Sequence, residues 1–324
     1  MFLKFFRTSV QGVYFFIPIF TFVLWLPHFI KPSIPHNFDY FYSSLVLTKF
    51  ISFIARHNII SSILSFFTLV FLGFYLSRIN FRHSIITRRT ELPAFFFIVI
   101  ALCAPVYHFS SYLIGIIPCC IALDRMMSGY KSDKSSFAYF DAGILFAIAG
   151  MIEMRLLWLT VLIWIALLIL RPFKWREWLY SIIGFLIPFV FYVAYNYLFN
   201  ISNQVIIEKL KLQFELVETR NLSKGLLMSL AGIAFIFIIT NWYILITYGR
   251  NKIQSRKYFY VLFCMFLLLI GIYFIPAVEQ IIFLLLAVPL AFLFTYYFTL
   301  ARLNTRNEIL LLILILSAVI PRLI

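Results

Sequence analysis

The sequence is short of charge: 12% of its 324 residues are Asp, Glu, Lys or Arg, against about 25% in soluble globular domains. Since 64% are hydrophobic, no water-soluble core could hide the apolar surface, and the soluble class is excluded. Glycine is scarce as well, with 11 residues beside 40 Phe. That leaves little of the small-residue patterning that lets membrane helices approach closely, and it points to packing through interlocked aromatics. The four cysteines, Cys103, Cys119, Cys120 and Cys264, all lie in apolar runs without zinc or disulfide spacing, and read as small buried hydrophobes. No GxGxxG, Walker loop, GxSxG or CxxC occurs, so nucleotide-driven and serine-hydrolase chemistry has no support, and no cofactor is expected.

What is present is a series of long apolar runs. A helix needs roughly 20 apolar residues to cross the hydrocarbon, and eleven segments qualify or nearly do: 13–30, 59–77, 92–108, 110–127, 137–153, 155–170, 178–199, 225–247, 258–275, 279–300 and 309–322. The pattern predicts an all-α, polytopic transmembrane helical bundle of about 11 spans forming a single integral membrane domain over residues 1–324. The boundary at 107–112 is the least defined, and the third and fourth runs also read as one re-entrant pair. The first run follows Lys4 and Arg7 like a secretory signal, but Pro18 and Pro27 interrupt it and no small-residue cleavage site follows. It is expected to stay as the first span.

The net charge of +15 lies in the short turns between runs. With a cytoplasmic N-terminus, 18 of the 27 Lys and Arg residues fall inside and nine outside, as the positive-inside rule requires. Charge therefore reads as topology in a bacterial inner membrane, with membrane lipids as partners and no nucleic acid. The inner turn RPFKWREW (Arg171–Trp178) carries Trp175 and Trp178 as belt residues, with Arg171, Lys174 and Arg176 reaching for lipid phosphates.

Two outer connections are long enough to hold structure. In 31–58, Ser44, Thr48, Ser52 and Arg56 share one face and Phe50, Ile51, Phe53 and Ile54 cover the other, an amphipathic helix for the outer leaflet. In 200–223, Glu208, Lys211, Glu215 and Glu218 oppose Ile206, Leu210, Phe214 and Val217, although 209–216 also alternates as a strand would.

Polar groups at membrane depth are costly, so the few near span ends are the candidate site. Asp39 in PHNFDYF is the candidate general base, and Glu153 and Glu279 are further candidate carboxylates. Arg155, His36 and His108 are candidate substrate-binding residues, Arg155 through a lipid phosphate. Glu153 and Arg155 are two residues apart and share no helix face, so each is expected to find its partner elsewhere. Outer histidines (His28, His36, His57, His108) show no HxH or HxxxH spacing, so a metal would depend wholly on the fold. Asp141 reads as a packing or topology pair with a nearby Lys or Arg.

The stretch from RRTELPA (Arg88–Ala94) through FDAGILFAIAG (Phe140–Gly150) and LLILRPFKWREW to Pro188 and Tyr195 resembles an uncharacterised family of bacterial inner-membrane proteins. Some members carry a carotenoid-oxygenase label, but no iron-ligand spacing accompanies it here. The layout also resembles integral-membrane glycosyltransferases that use polyprenyl-phosphate sugars: an inside N-terminus, one span, an outer loop with an acid and an amphipathic helix, then short-looped spans. That resemblance implies Asp39 as the base, a polyprenyl-phosphate sugar as donor and action at the outer face. The chain has a single acid where many such enzymes have a pair, and no soluble outer domain. The readings left open are this transferase, a non-enzymatic scaffold or envelope-assembly component, and a transporter with Asp141 and Glu153 on its path.

Overall fold

The computed structural model describes residues 10–30, 44–55, 57–88, 90–103, 109–132, 135–200, 207, 211, 224–247, 252–273, 282–301 and 304–323. The described residues form helices and no strand. In chain order these are α1 (Val10–Ile30), α2 (Thr48–Ala55), α3 (Asn58–His83), α4 (Leu92–Ala101), α5 (Ser111–Ser128) and α6 (Ser135–Ile152). A 3-10 helix (Met154–Thr160) then leads into α7 (Val161–Leu170), followed by α8 (Trp175–Leu198), α9 (Lys224–Thr247), α10 (Ile253–Tyr273), α11 (Ile282–Leu300) and α12 (Thr305–Leu323). Seven of these are long and apolar enough to cross a membrane. Three shorter apolar stretches, in α1, α4 and the 3-10/α7 unit, accompany them.

The centre of the bundle is the pair α4 and α11. All ten residues of α4 are buried, as is 89% of the most apolar stretch of α11. Phe96 packs on Phe298 at 5.1 Å between ring centroids and on Phe294 at 6.2 Å, edge to face. Such ring geometry follows from the aromatic quadrupole. At ten residues, α4 is about 15 Å long, half the roughly 30 Å hydrocarbon thickness, so it serves as an interior strut. Around this pair, Phe20 of α1 reaches Phe95, Tyr14 stacks on Phe74 of α3, and Phe259 of α10 meets Tyr296 of α11 at 4.9 Å. The expected aromatic interlocking is thus present at several helix pairs.

The seam between α6 and α8 departs from the aromatic rule. A Cβ on Gly143 would stand 2.5 Å from the Ser181 carbonyl oxygen, and one on Gly184 would stand 2.3 Å from that of Phe140. Only glycine allows this backbone approach, so small residues, few as they are, set the closest helix contact. Along α8, only 11% of the membrane-length stretch is buried; the helix is held mainly by this seam, and much of its remaining surface is apolar and exposed.

The bundle has two distinguishable ends. At one, Ser255 donates to the Ser84 carbonyl, Lys257 to that of Leu170 and Tyr258 to that of Met127. Exposed Arg82 and Arg125 lie there, with Arg125 3.8 Å from Asp141, the pairing expected of that acid. At the other end, the Leu45 amide donates to the Met151 carbonyl and the Phe109 amide to Ser61 Oγ. From Ser111 to Asp124 along α5 the two ends are about 20 Å apart.

Candidate functional site

The chain leaves α6 at Ile152, and Glu153 adopts an extended conformation (φ −144, ψ 107) before the 3-10 turn begins. This break decides the fate of the Glu153 and Arg155 side chains. In a continuous α-helix, residues two apart would point to different sides. Here the change of backbone geometry brings Arg155 Nε to 4.0 Å from Glu153 Oε1. The acid and the base also take separate partners from the first turn of α5, as the sequence implies. Ser111 Oγ donates to Glu153 Oε2 at 2.6 Å, and Arg155 donates to the Tyr112 hydroxyl while lying 5.8 Å over its ring.

Glu153 is fully buried and the Arg155 side chain is 11% exposed. A carboxylate and a guanidinium in such a place are held by mutual charge and by hydroxyl donors and acceptors, since neither is tolerated alone. Gly115, one turn below, is needed here: a Cβ would fall 2.4 Å from Leu156 Cδ1 and 3.7 Å from Glu153 Cβ. Below Arg155 is a cavity of about 10 Å³ lined by Tyr112, Leu156, Leu159, Leu269, Ile272 and Leu285, enough for about one water.

Amphipathic helix α2 lies at the same end. Ser44 Oγ accepts from the Leu47 amide at 2.9 Å, fixing the turn that starts the helix. Ile51 and Ile54 are buried, whereas Phe50 and Phe53 are exposed, so the apolar side divides between protein and surroundings. His57 is engaged locally, with Nδ1 3.1 Å from the Phe53 carbonyl oxygen. Asp39, His36, His108 and Glu279 lie outside the described residues, as does nearly all of 200–223. Among the described residues no three His, Cys, Asp or Glu groups cluster as a metal site would require.

At the basic end the structure assembles polar groups that the hydropathy pattern passes over. Asp124 accepts from Arg82 at 2.7 Å, pairs with His83 Nε2 at 2.6 Å and lies 3.4 Å from the Tyr75 hydroxyl. The His83 ring meets Tyr258 edge-on at 5.8 Å. Arg171 ties together the Ser132 carbonyl, Ser135 and Glu177, and Ser135 also donates to Glu177 at 2.6 Å. Glu91, just before α4, is buried near the Ser77 and Tyr14 hydroxyls, and burial pushes its carboxyl above the ordinary range. The usable signal for Asp124 and His83 was a charged or ionisable residue within an otherwise apolar run. These groups join helices to one another with every described partner inside the protein, which is the pattern of structural ties.

The comparison of sequences adds one result: a family description matches residues 36–322, nearly the whole chain. The chain belongs to DUF6427, a family of unknown function. This agrees with the resemblance to an uncharacterised family and assigns this DUF6427 member no activity. No curated protein and no solved structure matches it.

Proposed function

We propose that this DUF6427 member is a multi-pass inner-membrane enzyme that handles a lipid-linked phosphate at the outer face, in the manner of a polyprenyl-phosphate-dependent glycosyltransferase. The observation that carries the reading is the interior guanidinium of Arg155, held by Tyr112 beside buried Glu153 at one end of the bundle. Guanidinium geometry suits a phosphate, and a preorganised cation stabilises the charge on a departing phosphate. In this mechanism Asp39 removes the proton of an acceptor hydroxyl, that oxygen attacks the anomeric carbon, and the polyprenyl phosphate leaves toward Arg155. Glu153 orients Arg155, and Glu279 is a second orienting carboxylate.

The test is the lipid that accompanies the protein. Purified in native lipid particles, the unmodified chain is expected to carry a polyprenyl phosphate by mass spectrometry, and Arg155→Ala to lose it. Asp39→Asn is expected to keep the lipid but to make no glycan product in cells. Bulk phospholipid alone in both the unmodified and the Arg155→Ala samples, or unchanged glycan from Asp39→Asn, would overturn the transferase reading.

One observation favours a second reading. Beyond Pro188 most faces of α8 are exposed, including Val190, Phe191, Tyr195, Tyr197 and Leu198. A helix so little covered by its own chain suits a scaffold that docks a membrane partner. Co-purification of a stoichiometric membrane protein, lost on substitution of Phe191 and Tyr195, would support it.

A further inference from the structure

The connection from α5 to α6 carries a cation that no tie between helices uses. After α5 ends at Ser128, the turn is closed by the Tyr130 amide on the Met127 carbonyl and by the Ser132 amide on that of Gly129. Within it Lys131 has a left-handed backbone (φ 53), which crowds a Cβ and which glycine takes without that penalty. Glycine stands instead at position 129, where a Cβ would fall 3.0 Å from Tyr139 Cε2. Lysine therefore occupies the unfavourable position, and its ammonium lies 5.7 Å from the centre of the Tyr130 ring.

A second ammonium reaches the same ring from another helix. Lys257, on the first turns of α10, stands 5.6 Å from the Tyr130 centroid and donates to the carbonyl of Leu170, the last residue of α7, at 3.5 Å. The ring is fixed edge-on against Tyr258 at 5.8 Å, and Tyr258 in turn donates to the Met127 carbonyl. Two like charges gathered on one ring repel each other, and an aromatic face offsets only part of that cost at an exposed site. Among the described residues neither lysine pairs with an acid, because the acids of the neighbouring helices are engaged elsewhere. Asp124 holds Arg82 and His83, Asp141 lies by Arg125, and Glu177 holds Arg171. The Tyr130 hydroxyl likewise has no hydrogen bond to a described residue. Two ammonium groups and a phenol are thus brought together from two elements with no counter-charge between them.

We infer that Lys131, Lys257 and the Tyr130 hydroxyl bind a phosphate group at the basic end of the bundle, either on an anionic lipid headgroup or as free phosphate. A phosphate supplies both the negative charge and the acceptor oxygens that these donors lack, and lysine serves it as a point charge. The site is independent of Arg155, which lies at the opposite end. Its test is protection of the amines. Full-length protein in phosphatidylcholine nanodiscs is acetylated with an N-hydroxysuccinimide ester, and modification of Lys131 and Lys257 is read by peptide mass spectrometry against exposed Lys174 and Lys252. The reaction is repeated in nanodiscs containing phosphatidylglycerol, and in phosphatidylcholine nanodiscs with inorganic phosphate replacing chloride at constant ionic strength. At least one of the two is expected to slow acetylation of both site lysines about five-fold relative to Lys174 and Lys252, the scale of one partly exposed charge pair. Protection by phosphatidylglycerol alone assigns the site to a lipid headgroup, and protection by inorganic phosphate assigns it to a soluble one.

Lys131→Gly removes one cation and relieves the left-handed backbone. It is expected to melt higher than the unmodified chain and yet to lose the protection of Lys257, a combination that a lysine kept for the fold alone would not give. Tyr130→Phe keeps the ring for both ammonium groups and is expected to weaken protection without lowering the melting temperature. Asp133, the nearest acid to Lys131 in the sequence, lies outside the described residues, and Asp133→Asn is expected to leave protection in place. Acetylation that slows no more at Lys131 and Lys257 than at Lys174 and Lys252 with either ligand overturns the site. So does protection of Lys257 that survives Lys131→Gly, or protection that disappears in Asp133→Asn.

Discussion

The sharpest test of the architecture is Gly184→Ala on α8. The new Cβ would stand 2.3 Å from the Phe140 carbonyl oxygen, and the reciprocal Gly143 position leaves 2.5 Å to Ser181. Backbone cannot swing aside as a side-chain tip can, so α6 and α8 must separate by about 1 Å to restore normal contact. A gap of that size forfeits a quarter to a half of each dispersion contact it opens, and overpacking costs about 1–3 kcal/mol. Against this, Ala improves helix propensity by about 1 kcal/mol. The expected net loss is about 1 kcal/mol, which lowers the melting temperature by about 2–4 °C on the scale of a 150–250-residue domain and by somewhat less in a longer chain.

Native thiols report the melt, because Cys103, Cys119 and Cys120 are buried and outside any disulfide. A maleimide dye that fluoresces on thiol reaction will read their exposure on heating in detergent. Gly271→Ala is the control: nothing among the described residues lies within 4 Å of its added Cβ, so it should melt at or above the unmodified chain. A Gly184→Ala protein that melts no lower than Gly271→Ala would refute the seam and with it the attachment of α8.

Removing Asp124 should also destabilise, since His83 and Arg82 would lose their shared carboxylate. Asp124→Asn is expected to cost about 3 kcal/mol, with His83→Leu recovering part of that loss in the double variant; additive melting shifts would mean the pair is not coupled. For Glu91, a folded-state carboxyl raised by burial binds its proton more tightly than in the unfolded chain. Its contribution is present at low pH and is lost as pH climbs from the ordinary value of 4.5 through the raised one. Glu91→Gln should flatten that fall and melt higher at pH 7, and an unchanged pH profile of melting would count against it. Glu153→Gln keeps an acceptor for Ser111 but removes the charge beside Arg155, so in the lipid assay it should weaken phosphate-lipid retention less than Arg155→Ala does.

Much of the helical layout was legible because a membrane helix writes itself as a long apolar run. The run at 225–247 became Lys224–Thr247, and that at 178–199 became Trp175–Leu198. What the run does not encode is which side of a helix meets which neighbour. α4 and α8 are both apolar, yet one is wholly interior and the other nearly bare. Hydrophobic periodicity distinguishes protein from water, and it carries little information where the alternative surrounding is hydrocarbon. Glycine spacing on α6 and α8 held the missing information at one seam, but in a sequence so poor in glycine it was easily overlooked.

The polar clusters show the same limit from the other side. Glu153 and Arg155 stand out in the sequence, but their approach depends on the 3-10 break after α6, which neighbouring Leu, Trp and Thr do not announce. Ser111 and Tyr112 become their partners only because α5 returns antiparallel to α6 and presents its first turn at that level. At the basic end, Asp124 finds Arg82 and His83 and Glu177 finds Arg171 within the bundle, so those acids are consumed in holding helices together. Arg155 differs in its setting: it borders a one-water cavity at the end where α2 also lies. A guanidinium kept inside the bundle at that end by Tyr112 and beside buried Glu153 is the arrangement on which the proposed phosphate contact rests.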